Sequence, residues 1–218
     1  MPKKSGIVYL FAGIALIFSA LSLFLYNWQK DAQAGQKAEK LLSYVQAVIQ
    51  ERKPAAPAEI IYNPSAPEET VPQEPLLPEL PVTEIQGYGY VGYITIPDLK
   101  LELPVMSEWD YDRLKIAPCR QFGSSRTDNL VIAAHNYKNH FGDLSQIETG
   151  DTVIFTDMEG IENLYEVTLV DTLNPTEVEA VQNSGHDLVL YTCTYGGVAR
   201  ITVFCDRPEK DSDTTDSD

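Results

Sequence analysis

The chain has 218 residues, room for one ordinary domain of roughly 100–150 residues plus extensions. Acidic residues outnumber basic ones 32 to 16, and the resulting net charge of −16, with no basic stripe to interrupt it, argues against a nucleic-acid partner. Three cysteines, Cys119, Cys193 and Cys205, are too few and too far apart for a disulfide framework, and no C-x-x-C pair points to zinc or a redox dithiol. No metal and no cofactor are therefore expected.

Residues 1–5 form a short polar start. Residues 6–26 then run uncharged and mostly apolar (GIVYLFAGIALIFSALSLFLY), and about 20 helical residues are what a hydrocarbon core of roughly 30 Å requires. The expectation is a transmembrane anchor over residues 6–27. It is longer than the apolar region of a secretory signal, although Ala32 and Ala34 form an A-x-A that would permit cleavage. Lys3 and Lys4 before the segment nearly balance Lys30, Lys37 and Lys40 after it, so charge alone does not orient it.

Residues 28–53 read as a helical stalk, with Leu41, Val45, Val48 and Ile49 on one face. Residues 54–85 read as a Pro-rich linker: eight prolines recur between Pro54 and Pro81, a composition that favours extended geometry and reads as a spacer. Residues 86–207 form the expected domain, and 208–218 an acidic, solvated tail. Within the domain, strands are predicted over 90–96, 101–104, 129–134, 152–156, 165–172, 187–192 and 199–205, with a short helical piece near 110–115. Seven or eight short strands without long helices define a mostly β fold, a closed barrel or a sandwich.

Gly196-Gly197 between the last two strands is a strong hairpin turn, and it sets a register. Cys193 then faces Arg200, with opposed side chains about 4.5–5.5 Å apart. Leu188, Leu190, Thr192, Ile201, Val203 and Cys205 fall on the other, largely apolar face. Cys193 thus points away from the core and Cys205 into it, while Cys119 reads as a loop thiol; a bridge between Cys119 and Cys205 stays open. A cation beside a thiol favours the thiolate, its nucleophilic form. The alternative for Cys193 is a small hydrophobe in a strand. His135 lies just past the strand 129–134, where an imidazole at a rim suits alternate protonation of a leaving amine and deprotonation of an incoming one. Arg200 stays charged at neutral pH and suits a fixed donor to an oxyanion. His140 and His186 are taken as structural or solvent-exposed.

The stretch LVLYTCTYGGVAR, with AAHNYKNHFGDLSQIETGD upstream, resembles the sortase family. The family motif T-L-x-T-C is met by Leu190, Thr192 and Cys193, with Val189 in place of the first threonine; His140-Phe141-Gly142-Asp143-Leu144 and Gly150-Asp151 match a second motif. The resemblance implies an eight-stranded sortase-type β-barrel with short helices, a cysteine transpeptidase of a Gram-positive surface. It implies Cys193 as nucleophile, His135 and Arg200 as its partners, Thr192 and Thr194 at the substrate, and the Thr194 amide as a second oxyanion donor. The partners implied are secreted proteins with a C-terminal sorting motif and an amine acceptor, either a cell-wall precursor peptide or a pilin lysine. The domain would lie outside the cell membrane on a single-pass anchor, with residues 1–5 as the cytoplasmic N-terminus. The short hairpin and the anchor resemble class B-type sortases, and the linker would serve as a spacer or as a cover over the cleft. The rival readings are an anchored cysteine protease, resolving its acyl-enzyme with water, and a non-catalytic adhesin or scaffold.

Overall fold

The computed structural model describes residues 3–52 and 77–208, with side chains from Gly6 onward; most of the Pro-rich linker and the acidic tail lie outside the described residues. The chain begins with a single helix, α1 (Lys3–Arg52), which runs without a break through both the expected anchor and the expected stalk. Its two halves meet different surroundings. Every side chain from Gly6 to Lys30 is exposed, and this stretch is long and apolar enough to cross a membrane. From there on Ala34, Ala38, Leu42, Val45 and Ile49 are buried, at spacings of three and four that define one helix face.

That face docks on the domain. Val45 and Ile49 pack with Tyr90, Met106, Cys119 and Met158, and Ala38 joins the main core. Burying Leu42, Val45 and Ile49 contributes about 1.5–3 kcal/mol each. Gln46 adds a hydrogen bond from Nε2 to Glu102 Oε1 at 2.8 Å. At Gly35 a Cβ would stand 2.7 Å from Asn139 Nδ2, so the helix and the loop that carries Asn139 meet at a distance only glycine permits. The apolar stripe expected on a stalk is thus spent against the chain's own domain.

Nine strands follow: β1 (Thr83–Ile85), β2 (Tyr88–Ile96), β3 (Leu101–Met106), β4 (Cys119–Phe122), β5 (Leu130–Ala134), β6 (Thr152–Asp157), β7 (Glu162–Leu173), β8 (Leu188–Cys193) and β9 (Arg200–Asp206). Their order is β1-β2-β3-β4-β5-β8-β9-β7-β6, and β6 pairs back to β2, which closes β2 to β9 into an eight-stranded barrel. The β3–β4 and β5–β8 pairs are parallel and the rest antiparallel. The expected sortase-type barrel is present. Closure depends on Gly92, whose φ of +149° and close approach to β6 leave no space for a side chain: a Cβ there would lie 2.0 Å from the Thr156 carbonyl oxygen. It also sits at a β-bulge in β2, which bends the strand toward β6.

Alternation along the strands fills the barrel with Ile94, Leu130, Ile132, Phe155, Leu188, Leu190, Val203 and Cys205. β5 (LVIAA) is buried along its whole length because its outward residues Val131 and Ala133 are covered as well. All three cysteines are free; Cys119 opens β4 and is buried beneath α1, a correction to its reading as a loop thiol. Burial lifts the Cys119 thiol to about 12 and the Cys205 thiol well above its ordinary range, so neither serves as a thiolate at neutral pH. Leu80 is buried, and Arg126 donates to the Leu77 carbonyl at 3.2 Å while pairing with Asp157 at 2.9 Å. The chain is therefore already fixed to the barrel before β1 begins.

Candidate active site

Three neighbouring strands, β5, β8 and β9, end at one rim of the barrel. The parallel β5–β8 register pairs Ala134 with Thr192, so the next residues, His135 and Cys193, stand side by side. The antiparallel β8–β9 register pairs Cys193 with Arg200, as the hairpin turn predicts. The backbone positions of residues 135, 193 and 200 thus form one row at this rim; Cys193 is half-buried on the face opposite Thr192, and Arg200 Nη1 donates to the Ala199 carbonyl at 3.2 Å.

Thr192 itself is 2 % exposed and turned toward the barrel, where its Oγ1 donates to the Ala134 carbonyl at 2.9 Å. It ties β8 to β5 one residue before His135 and Cys193, away from the space open to a substrate. The Thr194 amide is also committed, donating to the Ala199 carbonyl at 3.0 Å, while Ala199 donates back to Thr194 Oγ1 at 3.1 Å. In this arrangement its N–H closes the hairpin. Gly197 N–H completes the turn to the Thr194 carbonyl at 2.9 Å.

His135 is held by the loop that follows it. Phe141 N–H donates to the His135 carbonyl at 3.3 Å, and Phe141 and Leu144 anchor the loop in the core. These are the motif residues that the sequence matches upstream of Gly150-Asp151, and their work is to fix this loop. Tyr137 stacks on the His135 ring, with centroids 3.9 Å apart and planes 12° from parallel, and His140 meets Tyr137 edge-on at 5.5 Å. Burial holds His135 below the ordinary imidazole range; contact with Asn136 opposes the shift and the charge of Lys115 adds to it. His140 is fully buried with both ring nitrogens unpartnered, and burial first, then repulsion from His135, takes it down to about 4. His186 lies at the far end of β9, paired with Asp206 at 2.9 Å.

Two concave surfaces flank the row. Beside Arg200 a groove of about 170 Å³ runs between Trp109 and Tyr111 on one bank and Asn174 to Val181 on the other, floored by Gln121 and Tyr191. Tyr191 donates its hydroxyl to Gln121 Oε1 at 2.5 Å, and its ionisation is pushed up by burial. Beside His135 a larger cleft of about 790 Å³ opens between the barrel and α1, bounded by Phe24, Tyr26 and Trp28 on the helix and by Tyr137 and Tyr195 opposite. Sequence reasoning finds the row but neither of these surfaces, because the residues that build them are far apart along the chain.

A family model described as "Sortase domain" matches residues 94–207, just over half of the chain. The chain belongs to the sortase family. It is 29 % identical over 126 residues to Sortase A of Bacillus anthracis, covering 55 % of this chain and 60 % of that relative. The chain thus spans about three-fifths of that relative's length. Among solved structures it is similar to sortase C1 from Streptococcus agalactiae, with a TM-score of 0.50 at 26 % identity over 59 % of this chain and 72 % of the other. Sortase A from Corynebacterium diphtheriae shares the fold, with a TM-score of 0.51 at 20 % identity over 58 % and 64 % of the two chains. These relatives are named as types A and C, so the class B-type expectation rests on the hairpin and the anchor alone.

Proposed function

We propose that the chain is a membrane-anchored cysteine transpeptidase, with Cys193 as nucleophile, His135 as acid and base, and Arg200 as oxyanion donor. The observation that carries this reading is the alignment of residues 135, 193 and 200 on paired strands beside two open surfaces. Because burial favours neutral His135, the imidazole can take the Cys193 proton as sulfur adds to a peptide carbonyl. Arg200 then neutralises the oxyanion. The C–N bond breaks, the leaving amine takes the proton from His135, and a thioester remains on Cys193. An incoming amine gives its proton to His135 and attacks the thioester; the C–S bond breaks and the thiol is restored.

In this reading the acyl donor, a sorting peptide of a secreted protein, lies along the groove beside Arg200. The amine, from a cell-wall precursor peptide or a pilin lysine, approaches on the side of His135. Thr192 and Thr194 act by holding the strands and hairpin in place. The apolar half of α1, exposed throughout and with a mean hydropathy of 2.4 over its best window, crosses the membrane once and leaves the barrel outside. The expected linker, 54–85, keeps that role over residues 54–76, while its last residues, with Leu80 buried and Thr83–Ile85 forming β1, join the barrel; 208–218 serve as the tail.

The test is to incubate the full chain, in detergent or vesicles, with a panel of sorting-motif peptides and amines and read the products by mass spectrometry. An amide joining the two substrates, abolished by Cys193→Ala, is expected. Hydrolysis alone, with unrelated peptides also cut, would identify a protease; no reaction and no thiol-probe labelling at Cys193 would favour a scaffold.

A further inference from the structure

α1 is continuous from the apolar segment onto the barrel, and the docked face begins at Ala34, only eight residues after Tyr26. At 1.5 Å per residue the end of the apolar stretch lies about 12 Å along the helix from the start of the docked face. The barrel is also fixed in orientation, since several turns of the same helix are packed against it. One particular edge of the domain must then face the bilayer, and the cleft between α1 and the barrel shows which. Phe24, Tyr26 and Trp28 share that cleft with Lys115, Lys138 and Tyr195.

The facing edge has an unusual surface. Tyr195, 85 % exposed, and Val198, 76 % exposed, are the most exposed large apolar side chains of the described barrel, and both sit at the tip of the β8–β9 hairpin. In water such residues gain nothing from exposure; at a membrane interface tyrosine is favoured because its ring and hydroxyl meet apolar and wet layers together. Charge points the same way. A chain of net charge −16 is repelled by an anionic surface, yet the cleft carries Lys30, Lys115 and Lys138 against Asp31 alone, with Lys115 also paired to Asp112 at 2.8 Å.

We propose that the hairpin tip (Tyr195 and Val198) and the adjoining Lys115 and Lys138 form a second membrane contact, resting on the anionic headgroups of the bilayer that α1 enters. The inference rests on the membrane-spanning reading of α1. Its functional content is that the loop leaving Cys193 is seated on lipid, so the mouth of the site opens at the headgroup layer instead of into bulk water.

The photoreactive residue p-benzoylphenylalanine, close in shape to tyrosine, tests this when placed singly at Tyr195, Phe24 or Leu164 of the full chain reconstituted in phosphatidylglycerol-containing vesicles. Leu164 is exposed and lies nine residues along β7 from Leu173, the partner of Arg200, which puts it about 30 Å from the site. Lipid adducts are expected at positions 24 and 195 and not at 164. The yield at 195 should fall roughly tenfold in purely phosphatidylcholine vesicles or with Lys115→Glu and Lys138→Glu combined. Adducts at 24 with none at 195 above the level at 164 would overturn the second contact and leave the anchor intact; none at 24 would overturn both. A yield at 195 indifferent to lipid charge and to both lysines would overturn the electrostatic part.

Discussion

Cys193 and Cys205 lie on opposite faces of one hairpin, and that difference alone separates their chemistry. Cys205 is sealed in the barrel among Leu188, Val203 and Val167, where its thiol stays protonated. Cys193→Ala is expected to abolish acyl transfer and thiol-probe labelling, and Cys205→Ala to leave labelling intact while lowering stability by about 1 kcal/mol or more, measured by thermal melting. His135 offers a finer test. The charge of Lys115 helps depress its proton affinity, so Lys115→Met should move the acidic limb of the kcat/KM profile to higher pH. A limb that moved to lower pH would remove His135 as the titrating group.

Buried His140 gives a stability prediction with a definite sign. Its proton affinity falls from the ordinary value of 6.5 to about 4 on folding, so between those pH values the unfolded chain binds more protons and stability drops as pH falls. Above pH 6.5 the contribution vanishes; below pH 4 it reaches on the order of 3 kcal/mol. His140→Phe should therefore narrow the gap between melting temperatures at pH 7 and pH 4.5. Tyr137, stacked on His135 and meeting His140 edge-on, has no signal in the sequence beyond its position two residues after His135.

Among the elements, those with an apolar, β-branched run were legible, β5 included although both its faces are covered, and those without such a run or made of few residues were not. Seven barrel strands follow from β-branched runs, and the hairpin register from two glycines brings Cys193 to Arg200. β4 escapes because CRQF has no apolar run, its burial arising from α1 and the 109–117 segment laid over it. β1 escapes because Thr83–Ile85 pairs with β2 at the edge of a proline-rich stretch. The commitment of the Thr194 amide to Ala199 depends on hairpin geometry that register alone does not specify. The docking of α1 was missed for a different reason: a two-turn apolar stripe looks the same whether it meets a partner or its own domain. Val45→Asp, placing a charge against Met106 and Met158, is expected to destabilise the chain by several kcal/mol in thermal or denaturant unfolding. An exposed stalk would tolerate the change at little cost.

For the whole molecule, with α1 spanning the membrane as proposed, the helix and not the proline-rich segment sets the height of the barrel above the bilayer. That segment leaves α1 after Ile49 is already seated on the barrel and rejoins the barrel at Leu80, so its length does not enter the distance between membrane and site. Removing eight of residues 54–76 is expected to leave transpeptidation of membrane-reconstituted protein within about twofold, since loop length contributes to stability only logarithmically. If the segment were the spacer, or a cover over the cleft, the rate would change markedly.

The same docking has a consequence for the fate of a cut chain. A protease that severed the backbone between Arg52 and Leu77 would produce two polypeptides, one carrying the apolar segment and the other all nine strands, still joined by the seam of Ala34, Ala38, Leu42, Val45 and Ile49. Nicked protein would migrate as two bands after denaturation yet stay as one particle under native conditions, so a cut in that segment would not by itself release the strands from the helix.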